Sequence, residues 1–175
     1  MKKVASVLII NFKGSIIFIK RNRNLKNHPG EISFPGGMFD FKKDKDLLDT
    51  ALRETYEEVG IKKEDLEVIG RLKKFKTVIT NIEVHPFVAN LNKENYSFKL
   101  NSFEVEEILL IPIKELINPK NKVVVPIKLD GKIYPNTFYY YKNNLIWGAT
   151  SRILDEFLKN LNQLKASSGF LSLSK

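Results

Sequence analysis

Apolar residues along this chain fall mostly into short bursts with the spacing of β-strands, and only two stretches carry a helical period. Runs rich in β-branched residues at 4–10 and 15–21, separated by Asn11, Phe12, Lys13 and Gly14, predict a β-hairpin. Residues 21–30 are polar and irregular and read as a loop. A short strand is expected over 31–34, stopped by Pro35 and turned by Gly36 and Gly37. The first helix should begin near Asp46, with Asp44 or Asp46 as its cap, and end at Gly60 in a left-handed conformation. Its Leu48, Ala51, Leu52, Thr55 and Val59 recur on one side and would face a core. Strands follow at 66–72, 84–91 and 109–113, the last led in by Glu104, Val105, Glu106 and Glu107, with a short helix at 113–117. Residues 123–129 and 132–134 read as a second hairpin around Asp130 and Gly131. Aromatic strand pieces at 138–141 and 145–147 flank Asn143 and Asn144, and a second long helix over 150–164 carries Ile153, Leu154, Phe157, Leu158 and Leu161 as its apolar stripe. Strands outnumber helices and the two long helices lie far apart. That order predicts an α/β fold, a mixed β-sheet sandwiched between helices, with residues 1–165 as one domain and 166–175 as a flexible tail.

Composition narrows the picture. With 175 residues, 43% hydrophobic and 28% charged, the chain suits one soluble domain with a real core. The run at 4–10 is too short to span a membrane and lacks a cleavage site after a full apolar region, so no membrane partner is expected. The absence of cysteine rules out disulfides and thiol catalysis and is compatible with a cytoplasmic location. A net charge of +9 would steer polyanions such as nucleotides, coenzymes or RNA, or it reflects a lysine- and asparagine-rich composition alone. The lysines are scattered, which argues against a dedicated nucleic-acid partner.

The chemistry concentrates on the first helix. Glu54, Glu57 and Glu58 share one stripe, because residues three and four apart are helical neighbours, and each exposed like-charge pair costs about 0.2–0.5 kcal/mol. A divalent cation would turn that repulsion into attraction; the bland alternative is a solvated acidic face. Against the bland reading stand Gly36 and Gly37 upstream, Arg53 beside the first glutamate, and the Gly60–Ile61 stop. Together these residues resemble the Nudix box, G-x5-E-x7-R-E-U-x-E-E-x-G-U with U apolar. Every fixed position from Arg53 to Ile61 matches except Thr55, which stands where an aliphatic residue is usual. The first half departs, since the spacing from Gly37 to Arg53 is two residues longer and Lys43 and Lys45 fall where the first glutamate is counted. Asp40 or Asp44 could assume that role, Asp44 more as a structural cap than as a metal ligand.

The loop ahead of the box refines the resemblance. Arg21, Gly30 and the run Phe34, Pro35, Gly36, Gly37 look like the additional signature of coenzyme A pyrophosphatases, with Lys26 in place of a second arginine. Residues 146–154, from Ile146 and Trp147 to Leu154, also resemble that subfamily. The resemblance implies the Nudix fold and metal-dependent hydrolysis of CoA or acyl-CoA to 3′,5′-ADP and (acyl-)4′-phosphopantetheine. An ADP-ribose or NADH pyrophosphatase is the alternative among enzymes of the superfamily, and a non-catalytic nucleotide- or RNA-binding Nudix domain the alternative of another class. The intact set of Arg53, Glu54, Glu57 and Glu58 weighs against the last. The implied cofactor is Mg²⁺ or Mn²⁺, held by Glu54 and Glu58 with Glu57 as a third or water-mediated ligand, and by a carbonyl of Gly36 or Gly37. Arg53 would position one of these carboxylates through a fork-shaped hydrogen bond. Glu57, Glu104 or Glu107 could take the attacking water's proton, and Arg21, Arg23, Lys26 and Gly36 would meet the substrate. His28 and His85, like Trp147 and the tyrosines at 139–141, read as structural, the aromatics as core and sheet packing. The expected partner is a nucleotide-type small molecule, and a homodimer is compatible with the sequence.

Overall fold

The structure is a computed structural model and describes residues 3–77, 80–129 and 131–168. At its centre lies β1 (Val4–Phe12), whose residues are buried on both faces. It pairs in parallel with β7 (Glu83–Leu91) along nearly its whole length, from Val4 opposite Glu83 to Asn11 opposite Asn90. A buried hydrogen bond from Asn11 Nδ2 to Asn90 Oδ1, 3.1 Å, fixes that register. The other edge of β1 is shared. Its end pairs with β2 (Ser15–Arg21) in the expected hairpin, and its start pairs with β4 (Gly36–Met38). Outside β2 lies β8 (Val105–Pro112), while β3 (Ile32–Ser33) pairs with the end of β2 on the edge it shares with β1; outside β7 lie β5 (Leu66–Arg71) and β6 (Phe75–Lys76). All these pairings except β1–β7 are antiparallel, so the sheet is mixed.

Strand alternation sorts the core into two layers. Leu8, Ile10, Ile17 and Ile19 face α1 (Leu47–Val59), where they meet Ala51, Val59 and Ile61. Ile9, Ile16 and Phe18 point the other way, towards Ile153, Leu154 and Phe157 of α3 (Gly148–Ser168). The sheet therefore lies between the two helices, as the pattern predicts. A three-stranded sheet, β9 (Lys122–Leu129), β10 (Lys132–Tyr141) and β11 (Asn144–Ile146), packs beside α3. Asp155 of α3 accepts from Tyr139 Oη and Lys122 Nζ, both at 2.5 Å, and ties the two together. The short α2 (Ile113–Leu116) follows β8. Among the described residues no helix is long and apolar enough to cross a membrane.

Several boundaries differ from the sequence reading. Gly36 and Gly37, expected as a turn, form β4 and lie against β1. Gly36 has φ near 152°, and a Cβ there would stand 2.3 Å from the Ser6 carbonyl oxygen, so only glycine lets the two backbones approach. β8 begins at Val105, since the backbone there pairs with β2 while Glu106 turns to Lys20 and Arg23 and Glu107 is exposed. β10 is one continuous strand across 132–141, with Pro135 opposite Pro126. The tip residue Asp130 lies outside the described residues. α3 continues to Ser168, beyond the expected end at 164, and residues 169–175 also lie outside them.

Candidate active site

The site is built where α1 passes over the start of β4. Asp46 caps the helix, its Oδ1 accepting from the Asp49 amide at 2.8 Å, and Gly60 closes it at φ 72°. Asp44 is not the cap. Its carboxylate, wholly excluded from solvent, receives the fork of Arg53, Nε at 2.6 Å and Nη2 at 3.0 Å, together with the Asp40 amide and the Thr50 hydroxyl, each at 2.9 Å. These bonds, the guanidinium foremost, hold the Asp44 carboxyl well below the usual carboxylate range and push the Arg53 pKa up. The expected fork on a helix glutamate is thus made to Asp44, one residue beyond the counted position, because the turn 39–46 absorbs the two additional residues. Counting from Arg53 at fixed spacing could not find it; an acid just ahead of the helix cap was the available signal.

The remaining nitrogen of Arg53 reaches the helix acids. Nη1 donates to Glu54 Oε1 at 2.8 Å and Glu57 Oε2 at 3.0 Å. Glu57 is exposed, whereas Glu54 lies against Gly37 so closely that a Cβ there would meet its carboxyl carbon at 2.4 Å. Glu58 is 2% exposed and accepts from the Gly36 amide at 2.9 Å. Burial pushes Glu58 up to about 8, with the nearby charge of Glu54 adding to it and the Gly36 amide and Arg21 opposing it. Burial also raises Glu54, against the pull of Arg53. Both feel Glu104 as a further negative charge.

Glu54 and Glu58 therefore converge on the Gly36–Gly37 backbone, while Glu57 sits on the outer side of Arg53. Among the described residues no three acidic or histidine side chains are gathered to hold a metal ion. Two carboxylates raised by burial, facing a backbone that has no side chain in the way, nonetheless fit Mg²⁺. That ion commonly keeps several waters and binds through one or two carboxylates plus substrate phosphates. Glu107, exposed on β8, lies opposite Lys20.

Of the basic residues, Arg21 at the end of β2 is near enough to Glu58 for its charge to be felt there. Its Nε is buried without a hydrogen-bond partner. Arg23 Nε is paired with Glu106 at 3.2 Å, and Lys26 is exposed on the loop. His28 and His85 pair with Glu31 and Glu83, both at 2.9 Å. Tyr139 is core, as expected, but Tyr140 and Trp147 are 47% and 43% exposed, against the expectation of core and sheet packing for both.

The NUDIX domain model matches residues 1–129. The chain is 30% identical over 154 residues to an uncharacterized Nudix hydrolase, NudL, of Photorhabdus laumondii, a match covering 88% of this chain and 81% of that one. It is 39% identical over 106 residues to the peroxisomal coenzyme A diphosphatase ndx-8 of Caenorhabditis elegans, covering 60% of this chain but 44% of that protein. A MutT/nudix family protein from Enterococcus faecalis has the same fold, with a TM-score of 0.65 at 15% identity over 99% of this chain and 67% of that one. Agreement across most of the domain, in sequence and in fold, makes this protein a member of the Nudix hydrolase family.

Proposed function

We propose that this Nudix hydrolase cleaves the pyrophosphate bond of coenzyme A or an acyl-CoA, releasing 3′,5′-ADP and (acyl-)4′-phosphopantetheine. The observation that carries the reading is Arg21. A buried guanidinium N–H without an acceptor costs about 1–3 kcal/mol, and an anion beside Gly36 and Gly37 would remove that cost. Arg21 opens the loop that ends in Phe34, Pro35, Gly36 and Gly37, and the likeness to a coenzyme A diphosphatase supports the same substrate class.

Glu54 and Glu58, with a carbonyl of Gly36 or Gly37, would hold Mg²⁺ or Mn²⁺, and Glu57 would join through water. The bound cation supplies neutralisation of the pyrophosphate oxygens and a more acidic water. The chain's own residues do the rest. Arg53, anchored by Asp44, keeps Glu54 turned towards the glycine pair. Arg21 draws a phosphate towards Glu58. Glu104, whose charge reaches both inner carboxylates, is the best-placed acceptor for the proton of the attacking water, ahead of Glu57, which is occupied by Arg53, and Glu107. Water adds to one phosphorus, the bond to the bridging oxygen breaks, and the second phosphate leaves with that oxygen.

An ADP-ribose-type substrate is the second reading. It is favoured by the engagement of Arg23 with Glu106, which leaves that side chain to be freed before it can meet a 3′-phosphate. The test is kcat/KM for CoA, dephospho-CoA, ADP-ribose and NADH with Mg²⁺, with product analysis. A charge-assisted hydrogen bond is worth about 1.5–3 kcal/mol, so CoA should lead dephospho-CoA by roughly 10- to 100-fold. Equal cleavage of CoA, dephospho-CoA and ADP-ribose would replace the coenzyme A reading with the broader one.

A further inference from the structure

The carboxylates occupy the α1 side of the large sheet, and a cavity opens on the other side. It is a cleft of about 470 Å³ at the place where β3 of the large sheet meets β11 of the small one. Lys20, Arg23, Ile32, Asn144, Leu145 and Trp147 are among the residues that line it. β2 links the two compartments. Alternation sends Ile19 and Arg21 towards α1, and Phe18 and Lys20 away from it, so consecutive residues about 3.3 Å apart along the strand deliver one cation to each side.

From this geometry we propose that the cleft receives the adenosine 3′-phosphate end of the substrate, with adenine stacked on Trp147 and the 3′-phosphate between Lys20 and Arg23. The proposal rests on the reading that the substrate is coenzyme A. Trp147 stands in the link between β11 and α3, and its exposed ring forms part of the cleft wall. A base stacks on an aromatic ring through its π-face. Asn144, at the start of β11, offers an amide that can both donate and accept at the edge of a base.

The phosphate end of the cleft is held by an internal stand-in. Glu106 lies 3.5 Å from Lys20 Nζ and 3.2 Å from Arg23 Nε, one carboxylate between two cations. The cleft's other carboxylate, Glu31, is engaged by His28 at 2.9 Å, so Lys20 and Arg23 share Glu106, and a phosphomonoester of about −1.5 to −2 would satisfy the two cations more fully than one carboxylate does. Glu106 is therefore a placeholder that substrate displaces, and its removal should expose both cations. The cleft also accounts for the engaged state of Arg23 in the free protein.

Trp147 is the chain's single tryptophan, so it reports on its own site. In metal-free buffer, 3′,5′-ADP should quench the protein's fluorescence saturably, and 4′-phosphopantetheine should not. Lys20→Ala should weaken the 3′,5′-ADP titration at least 10-fold. Glu106→Gln should strengthen it. In turnover, Trp147→Ala should raise KM for CoA at least 10-fold with kcat within about 3-fold, and Trp147→Phe should restore most of the KM. Absence of saturable quenching by 3′,5′-ADP while CoA is still cleaved overturns the proposal and leaves the substrate reading intact. So does quenching by 4′-phosphopantetheine alone. Quenching that depends on Lys20, in a protein that does not cleave CoA, upholds the cleft and removes the substrate reading. Should Trp147→Ala fail to fold, the Lys20→Ala titration decides between these outcomes.

Discussion

Glu58 and Asp44 are both buried carboxylates, and their environments push them in opposite directions. Asp44 has a guanidinium; Glu58 is raised by burial first, then by the charges of Glu54 and Glu104, against the Gly36 amide and Arg21. The consequence for stability has a sign. In the metal-free protein Glu58, raised to about 8 from an ordinary 4.5, contributes stability that is complete below about pH 4.5 and lost as pH climbs towards 8. Asp44, lowered from 3.8, contributes stability present above about pH 4 and lost in acid. With chelator present, Tm should therefore peak in mildly acid solution and decline from about pH 5 to 8. Glu58→Gln should flatten that decline while lowering kcat at least ~10²-fold, about 2.7 kcal/mol. Near-normal turnover of that variant at low Mg²⁺ would remove Glu58 from the metal site. Thr55 carries a different local cost. Its hydroxyl is buried without a partner at the position where the box ordinarily has an aliphatic residue. Thr55→Val keeps the shape and deletes the orphan, so it should raise stability by ~1 kcal/mol, or Tm by roughly 2–4 °C, at unchanged kcat. A lower Tm would mean that the hydroxyl has a partner in solution.

At the scale of elements, α1 was readable from sequence because period, cap and stop agree on a single helix between Asp46 and Gly60. The partners of its polar face were not. Asp44 reaches Arg53 across a turn whose length follows no fixed count, and Glu58 is buried only because β4 lies over it. β4 itself was hidden, since two glycines after a proline carry the local signature of a turn, and only pairing with Ala5–Val7 makes them a strand. Lys20 and Arg21 read as one basic end of a strand, yet the sheet divides them between its two faces. The glycine pair gives the element its own test. Gly37→Ala places a methyl within 2.6 Å of both Glu54 oxygens, but a side chain can yield. Half-maximal activity should then require about 10-fold more Mg²⁺ with little change in Tm, a displacement read by titrating the metal. Gly36→Ala meets backbone at Ser6 and Val7 and should lose the fold instead, which circular dichroism would register. If Gly37→Ala keeps its metal requirement, the carboxylate of Glu54 lies outside the metal site.

The whole molecule carries +9, far more charge than the site itself uses. A field of that size raises the encounter rate of polyanions and is screened by salt, with a Debye length of about 10 Å at 0.1 M. The kcat/KM for CoA should fall as ionic strength rises, and more steeply than for dephospho-CoA, which has fewer charges. Parallel salt profiles for the two substrates would assign the preference to contacts alone and leave the surface lysines without a role in capture. The order of the strands has a further effect, on how the chain comes to fold. β1 is synthesised well before its full-length partner, β7, which lies 79 residues further along the sequence. Until Leu91 has left the ribosome, the hairpin of β1 and β2 presents an unpaired, strongly apolar edge, and α1 has only half a floor on which to settle. Parallel pairing at such separation is slow, because the loop must close before any contact can reward it. Between the completion of β2 and that of β7 the nascent chain thus resembles an aggregation-prone edge strand, guarded by its lysines more than by its fold.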